Sequence, residues 1–254
     1  MNYNIIINKH KEKTNITSIY KMFPKDYVKF VDVFCGSAFL FLNLEDKNFR
    51  RKKHQLNDND PKWINALWVL KEDKDSLLKF LEVHRNLFRW QYYGMLKKDI
   101  NNSSMTIKSN AELLAKHIFL NRCSYQNSFK FSSTGIFLGT FEKTQRCPEL
   151  LDKESLDIMN ERLKDVELSC LDFESVMNDS QQGDFLYIHA PKISLNYRDE
   201  NRFLKQDKVR LEKSLDDLHK RGIKFLMVLE KEDYQTKFLR KDSESEMFIY
   251  NYVN

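Results

Sequence analysis

The feature that most constrains the fold is a strand-like segment that leads into a glycine turn and then into a second apolar segment. Residues 29–33 (Lys-Phe-Val-Asp-Val) are rich in β-branched and aromatic side chains, the sequence Phe34-Cys35-Gly36-Ser37 follows, and residues 38–44 are again mostly apolar. A strand, a tight glycine turn and a buried helix form the opening unit of a doubly wound α/β fold. We therefore predict a mostly parallel sheet that helices cover on both faces.

The remaining sequence divides into an α/β part and a helical part. Residues 205–221 have apolar side chains at helical spacing and are followed by Gly222, a typical residue just beyond a helix end. Further strands are predicted at residues 166–171, 185–188, 223–229 and 247–253. Amphipathic helices and glycine-punctuated loops fill the middle of the chain. The prediction is a Rossmann-like sheet domain formed by residues 1–60 and 150–254, with residues 61–149 as a helical insert.

Composition indicates a folded protein without a membrane anchor. Hydrophobic residues make up 41% of the chain and aromatic residues 13%, which is enough for one sizeable core. No apolar run approaches the roughly 18 residues of a membrane span, and the first residues lack the pattern of a signal peptide. The four cysteines lie far apart without a Cys-x-x-Cys pair. We expect reduced thiols, no metal site and a cytoplasmic location, with association with the nucleoid left open.

Several segments follow one another in an order that is typical of one enzyme family. They are residues 30–38 (Phe-Val-Asp-Val-Phe-Cys-Gly-Ser-Ala), 57–60 (Asn-Asp-Asn-Asp), 115–137, 166–173 (ending in Leu-Asp-Phe), 183–188, 219–226 and 248–252. They resemble motifs of the Dam-like (D12 class) DNA adenine-N6 methyltransferases. The first three resemble the glycine motif, the NDxN segment and the target-handling segment of that family. The next two resemble the Asp-Phe strand and the strand before the catalytic tetrapeptide, and the last two resemble the closing helix and strands. Each match is weak alone, but their shared order is specific and covers nearly the whole chain.

The resemblance implies S-adenosylmethionine as the cofactor. Phe34, Gly36 and Ser37 would form the turn that lets the backbone approach this ligand closely. Asp58 would correspond to the acidic residue with which the family binds the ribose hydroxyls. Asp60 is also a typical cap for the helix that follows, and Asp58 belongs to the same turn, so a purely structural role stays open.

The adenine end of the cofactor would be held by Asp172 and Phe173. The resemblance implies that Asp172 accepts a hydrogen bond from the adenine amino group and that Phe173 lies beside the adenine ring. An Asp after a strand is, however, more often a helix cap. The methionine end departs from the family, because its Gly-Gly-Lys turn corresponds to residues 7–11 (Ile-Asn-Lys-His-Lys) and its last motif glycine to Ala38. We expect the adenosine half of the pocket to be retained and the methionine half to be altered.

The catalytic tetrapeptide is replaced. The family has Asp-Pro-Pro-Tyr after the strand at residues 183–188, and this chain has His189-Ala190-Pro191-Lys192. An adenine amine is a poor nucleophile, so a fixed oxygen acceptor must take its protons while the tyrosine ring stacks on the flipped base. A neutral His189 offers one acceptor nitrogen and a protonated one offers none. Because Lys192 cannot stack as tyrosine does, we expect no ordinary adenine methylation.

A second departure follows the next predicted strand, where Leu229-Glu230-Lys231 replaces the family's Ser-Asn. The changes are thus clustered at the transfer site, whereas random decay would scatter them into the core strands as well. His189 itself has two interpretations, either a new catalytic base or an ordinary polar residue at the end of a strand.

The predicted insert carries basic residues interleaved with aromatic ones, in a chain with a net charge of +5. Such residues neutralise phosphates and stack on bases. The candidate DNA contacts lie in and beside a predicted loop: Arg122, Tyr125, Asn127, Phe129 and Lys130. The alternative is that aromatic residues such as Phe88, Trp90 and Phe119 form the insert's own core. The family's Asn-Gly in this loop is Asn127-Ser128 here, so we expect its sequence specificity to be altered.

Three hypotheses about function follow from these patterns. The first is a catalytically silent methyltransferase-like protein that binds double-stranded DNA, acting as a partner or regulator of an active enzyme or of another protein. The second is an active S-adenosylmethionine-dependent adenine-N6 methyltransferase with a divergent motif, in the restriction–modification setting of its family. The third is a protein-interaction module built on the same fold. We favour the first, because the framework is complete while the changes cluster at the transfer site.

Overall fold

The computed structural model describes residue 5 and residues 16–102, 110–132, 135–144, 146–191, 203–230, 236–243 and 246–253. The chain forms two compact units. The helical unit contains Ile5 and the described residues from 65 to 164. The sheet unit contains those from 16 to 64, from 165 to 191 and from 203 to 253. No helix within these ranges has both the length and the hydropathy that a bilayer crossing requires.

A seven-stranded sheet forms the centre of the sheet unit. Its strands are β1 (Lys29–Asp32), β2 (Lys53–Asn57), β3 (Glu167–Ser169), β4 (Asp184–Ile188), β5 (Lys224–Glu230), β6 (Leu239–Asp242) and β7 (Glu246–Tyr250). The strand order is β3-β2-β1-β4-β5-β7-β6, the first five strands are parallel, and β7 is antiparallel to both of its neighbours. The predicted α/β class with a mostly parallel, doubly wound sheet is confirmed. Because the chain order reverses between β1 and β4, ligands are expected at the carboxyl ends of these strands.

Helices account for most of the remaining described residues. They are α1 (Ile16–Tyr20), α2 (Phe39–Asn43), α3 (Lys47–Arg50), α4 (Pro61–Glu72), α5 (Lys74–Asn86), α6 (Trp90–Asn102), α7 (Asn110–Cys123), α8 (Lys153–Leu163), α9 (Phe173–Asp179) and α10 (Lys205–Lys220). The predicted glycine turn lies between β1 and α2, and the helix predicted at residues 205–221 is α10.

The helical unit extends beyond the predicted insert of residues 61–149, since it continues to Lys164 and includes α8. The contacts of α8 explain this. Asn160 donates its side-chain amide to the carbonyls of Leu70 (3.0 Å) and Lys71 (2.7 Å) at the end of α4, and Lys74 forms an ion pair with Asp157. An apolar pattern alone could not assign α8 to this unit, because these partners lie far away in sequence.

Aromatic packing covers one face of the sheet. Phe30 on β1 lies 5.1 Å from Phe49 and Phe185 on β4 lies 4.8 Å from Phe23, between ring centroids. Three of these four rings are fully buried, and Phe23 is 5% exposed. Burying each ring contributes about 2–3 kcal/mol. These rings pack on one face of the sheet. The helices α9 and α10 lie on the other face, where their apolar residues pack with Val31 and Leu186.

His54 on β2 is a buried histidine among phenylalanines. It is 8% exposed, its ring lies 4.7 Å from that of Phe49 and 5.0 Å from that of Phe41, and its Nε2 has no hydrogen-bond partner among the described residues. Burial lowers the pKa of His54 to about 4, with the positive charge of Arg50 as a smaller cause. The folded protein therefore holds this ring in its neutral form at pH 7.

We predict that acid destabilises the sheet unit through His54. The pKa of a histidine in the unfolded chain is about 6.5, so the unfolded chain binds more protons between about pH 6.5 and 4 and stability falls as the pH is lowered through this window. The expected loss between pH 7.5 and 5 is about 2 kcal/mol. Urea unfolding of the protein and of His54→Leu at both pH values measures this loss. An identical loss in the variant would contradict the assignment.

Candidate cofactor and transfer site

The carboxyl ends of β1, β2 and β3 are joined by the side chain of Asn57. Its amide nitrogen donates to the carbonyls of Val33 (3.1 Å) and Leu171 (3.0 Å), and its oxygen accepts from Leu171 N (3.0 Å) and the Ser169 hydroxyl (2.9 Å). Asn57 is 1% exposed. Asn57 begins the segment 57–60 that resembles a family motif, but its sequence position alone indicated no role for it. The sequence signal that could have identified its role is an Asn at the end of a strand, because a polar side chain that is buried there must find hydrogen-bond partners.

Asp58 ties the glycine turn to the end of β2. Gly36 N donates to Asp58 Oδ2 (2.9 Å), and Asp60 N donates to Asp58 Oδ1 (2.9 Å). Gly36 has a φ of +50°, and a Cβ added there would meet no atom within 4 Å, so backbone conformation rather than lack of space favours glycine. Asp60 accepts from Lys62 N (3.0 Å), which confirms its role as a cap of α4. The carboxylate of Asp58 is half-buried and already serves two backbone amides.

The rest of the turn is closely packed. Ser37 is half-buried, and burial raises the pKa of the Cys35 thiol, so this buried thiol stays neutral. Ala38, which stands in place of the family's last glycine, is fully buried with a φ of +53°. A left-handed backbone costs an alanine about 1–2 kcal/mol. The turn therefore keeps the conformation of a glycine-containing motif, although Ala38 adds a methyl group to it.

Asp172 and Phe173 are engaged by Arg210 of α10. Asp172 caps α9 by accepting from Glu174 N (2.9 Å), as the structural interpretation predicted. Its carboxylate also pairs with Arg210 Nη2 at 2.6 Å, and the Arg210 Cζ lies 4.8 Å from the ring centroid of Phe173. Phe173 lies 5.5 Å from the half-buried Phe34. Arg210 was not found from sequence, because nothing in a linear helix pattern indicates a partner 38 residues away.

The transfer position follows β4, which lies between β1 and β5. His189 and Ala190 are half-buried and Pro191 is exposed, whereas Lys192 lies outside the described residues. β4 runs parallel to β1, so His189 emerges at the same edge of the sheet as the glycine turn. On β5, Leu229 packs against the hydrophobic core. Residues 7–11 and Lys231 are also outside the described ranges.

The predicted DNA contacts divide into buried and exposed residues. Arg122 is 7% exposed at the end of α7, and Asn127 donates to its carbonyl at 3.4 Å. Phe129 packs edge to face against Phe131, with 5.1 Å between ring centroids. By contrast, Tyr125 is 56% exposed and Lys130 is exposed. Asn127 and Phe129 are half-buried, so Tyr125 and Lys130 are the two exposed residues among the five predicted contacts.

The aromatic residues that could form the insert's own core also divide in this way. Phe119 is fully buried and lies 6.4 Å from Phe88 and 5.5 Å from His84, between ring centroids, so the core interpretation holds for both phenylalanines. Trp90 is 66% exposed. The insert thus has a small aromatic core of its own, while the ring of Trp90 lies at the surface.

Tyr125 and Lys130 belong to a short hairpin that is closed by two bridges. Ser124 pairs with Phe141, Phe131 pairs with Phe137, and Leu138 N donates to Lys130 O at 2.8 Å. A Cβ on Gly139 would lie 2.4 Å from the Phe137 ring, so only glycine fits there. The hairpin exposes a row of apolar, aromatic and basic side chains: Tyr125, Lys130, Ile136 and Leu138.

A cavity of about 660 Å³ lies at the opposite edge of the sheet, before β1 and β2. Basic and aromatic side chains line it: Tyr20, Lys21, Lys25, Tyr27, Arg51 and Lys52. None of the predicted cofactor residues is among them. Within the described ranges, no three His, Cys, Asp or Glu side chains are arranged to hold a metal ion.

We predict that Asn57→Ala lowers the free energy of unfolding by about 3 kcal/mol or more. The substitution leaves two carbonyls, one amide and one hydroxyl without their partner in a buried position. Asn48→Ala is the matched control, since Asn48 is exposed and the expected change there is within about 0.5 kcal/mol. Urea unfolding measures both variants. Equal stabilities of the two variants would show that the Asn57 amide does not hold the strand ends together.

Comparison with known proteins identifies the family. Residues 11–252 match the model of the D12 class N6 adenine-specific DNA methyltransferases. The chain is 25% identical over 233 residues to the Type II methyltransferase M1.LlaDCHI of Lactococcus lactis subsp. cremoris, which covers 88% of this chain and 79% of that protein. It is 27% identical over 235 residues to the Type II methyltransferase M.MjaIII of Methanocaldococcus jannaschii, with coverages of 85% and 80%.

Among solved structures, the rRNA methyltransferase aviRa from Streptomyces viridochromogenes matches 93% of this chain and 82% of its own, with 13% identity and a TM-score of 0.40. We infer nothing from so low a score. The family match spans both the sheet unit and the helical unit. The chain belongs to the D12 class of N6 adenine-specific DNA methyltransferases.

Proposed function

We propose that this member of the family binds double-stranded DNA and does not transfer a methyl group to it. The observation that carries the proposal is the sequence His189-Ala190-Pro191-Lys192 immediately after the central strand β4. At this position the reaction needs a fixed oxygen that accepts the protons of the adenine amine. Losing one positioned hydrogen-bonding group of this kind costs about 2.7–4 kcal/mol, or roughly 10²–10³ in rate. Several simultaneous losses make turnover negligible.

The residues that would hold the adenosine end of a cofactor match the family better than those at the transfer position and at the methionine end. Asp58 and Asp172 are carboxylates at the ends of neighbouring parallel strands, and Phe173 supplies a ring beside them. These groups suit the ribose hydroxyls and the adenine amine of S-adenosylmethionine, which when bound supplies an activated methyl group. Asp58 would bind the ribose while its two oxygens each keep one backbone amide. We propose that the site retains affinity for adenosine-containing ligands without using them for transfer.

The hairpin of the helical unit is the proposed DNA-binding element. Lys130 can neutralise a phosphate, while Tyr125, Ile136 and Leu138 can pack against or between bases. The exposure of these apolar and basic side chains on one hairpin supports the proposal, because exposed apolar patches mark interaction sites. A chain that holds DNA without modifying it would serve as a partner or regulator of an active methyltransferase.

We predict that the protein leaves adenine-containing duplex DNA unlabelled after incubation with tritiated S-adenosylmethionine. The physical reason is the missing oxygen acceptor at residue 189. The matched variant replaces the tetrapeptide by that of the family, with His189→Asp, Ala190→Pro and Lys192→Tyr together. Label with the triple variant and none with the natural chain would localise the defect to these positions. Label in DNA with the natural chain, lost on His189→Ala, would instead establish the second hypothesis of an active enzyme with a divergent motif.

We predict that Lys130→Ala weakens DNA binding to a similar degree for all duplex sequences. Removing one phosphate contact lowers the slope of log affinity against log salt concentration by about 1. Lys164→Ala is the control, because Lys164 is exposed on the same unit and pairs with Glu161 at 3.7 Å. Fluorescence anisotropy at several salt concentrations measures both slopes. The same slope for both variants would exclude the hairpin as the DNA contact.

A further inference from the structure

Arg210 makes the contacts that the adenine of a cofactor would need. Its Nη2 lies 2.6 Å from Asp172 Oδ1 and its Nη1 lies 3.3 Å from Asp172 Oδ2. Its guanidinium carbon is 4.8 Å from the ring centroid of Phe173. A guanidinium is planar, donates N–H groups in its own plane and stacks on aromatic faces. Adenine shares these properties, since its amine would donate to Asp172 while its ring lies against Phe173.

Other aromatic side chains pack around Phe173. The ring centroids of Phe34 and Phe203 lie 5.5 Å and 6.1 Å from that of Phe173. With Arg210 in place, Phe173 is 4% exposed. An adenine ring therefore cannot lie against Phe173 unless Arg210 or one of these two rings moves. Arg210 is the easier of the three to move, because its side chain is 38% exposed whereas Phe203 is 8% exposed.

Two further carboxylates hold Arg210 in this position. Its Nε donates to Glu174 Oε2 at 2.9 Å, and its Nη1 donates to Asp207 Oδ1 at 3.0 Å. The hydrogen bond with Asp172 is the largest of the causes that raise the pKa of Arg210. Asp207 is itself fixed, because its other oxygen accepts from Leu204 N at the start of α10 (2.9 Å). The contact is thus built into the first turns of α9 and α10.

We propose that Arg210 occupies the adenine subsite as an internal ligand and thereby decides which molecules the site admits. An adenosine-containing ligand binds only in the fraction of molecules in which Arg210 has left Asp172 and Phe173, so its apparent affinity is its intrinsic affinity multiplied by that fraction. Nucleosides with an exocyclic amine can replace part of the lost hydrogen bonding, whereas the carbonyl that inosine has in place of this amine cannot donate to Asp172. This inference rests on the proposed function, which assigns Asp172 and Phe173 to the adenine end.

The test is calorimetric titration of S-adenosylhomocysteine into the whole protein and its variants. Arg210→Ala is expected to bind at least about tenfold more tightly than the natural chain, since the competing charge-assisted hydrogen bonds are gone. Arg210→Met keeps an unbranched side chain over Phe173 and serves if the alanine variant does not fold. Lys213→Ala, an exposed residue of the same helix, removes the same charge and is expected to leave the affinity unchanged.

A second readout separates occupancy of the subsite from a merely structural role. Methylguanidinium added to Arg210→Ala is expected to compete with S-adenosylhomocysteine, and to have no such effect on the natural chain. Equal or weaker ligand affinity in Arg210→Ala would overturn the role of Arg210 while leaving the adenosine site in place. Absence of binding to every variant would overturn both the inference and the assignment of the adenosine site. The DNA titration and the methyl-transfer assay test the rest of the proposed function independently.

Discussion

A single buried amide, that of Asn57, connects the ends of three strands where the candidate site is formed. It bonds to the backbone beyond β1 and β3 while belonging to β2 itself, so the spacing between the glycine turn and the segment that carries Asp172 depends on it. An amide can do this because it offers two donors and an acceptor with two lone pairs in one plane. A carboxylate could not donate to Val33 and Leu171, and an apolar residue would leave all four backbone and hydroxyl groups unpaired.

The carboxylates beside this amide are already in use by the protein. Asp58 accepts from two backbone amides, and Asp172 accepts from the start of α9 and from Arg210. Structural and ligand-binding interpretations of these residues are therefore not exclusive, since a carboxylate has about four acceptor positions. Asp58 and Asp172 differ in the kind of partner that they bind. Backbone amides stay in place when a ligand arrives, whereas a guanidinium on a helix side chain has to be displaced.

The sequence was a good guide where local pattern decides structure, and a poor one where distant partners decide it. The β-branched and aromatic residues around Gly36 were enough to predict the first strand, its turn and the following helix. The order of this and the other motif segments along the chain was enough to predict the family. The edge strand β6 was not predicted, because its four residues are exposed and lack alternation. The packing of Phe129 against Phe131 and the link between Arg210 and Asp172 depend on tertiary structure, which no local pattern encodes.

The central claim is that the sequence His189-Ala190-Pro191-Lys192 after β4 lacks the fixed oxygen acceptor that methyl transfer to an adenine amine needs. A single-turnover reaction tests it most directly, with the protein in excess over a duplex that contains adenine in many sequence contexts and with tritiated S-adenosylmethionine at saturating concentration. Product release and weak binding cannot mask chemistry under these conditions. The account predicts no N6-methyladenine above a heat-denatured control. Formation of N6-methyladenine by the natural chain, with a rate that rises as His189 loses its proton, would contradict it.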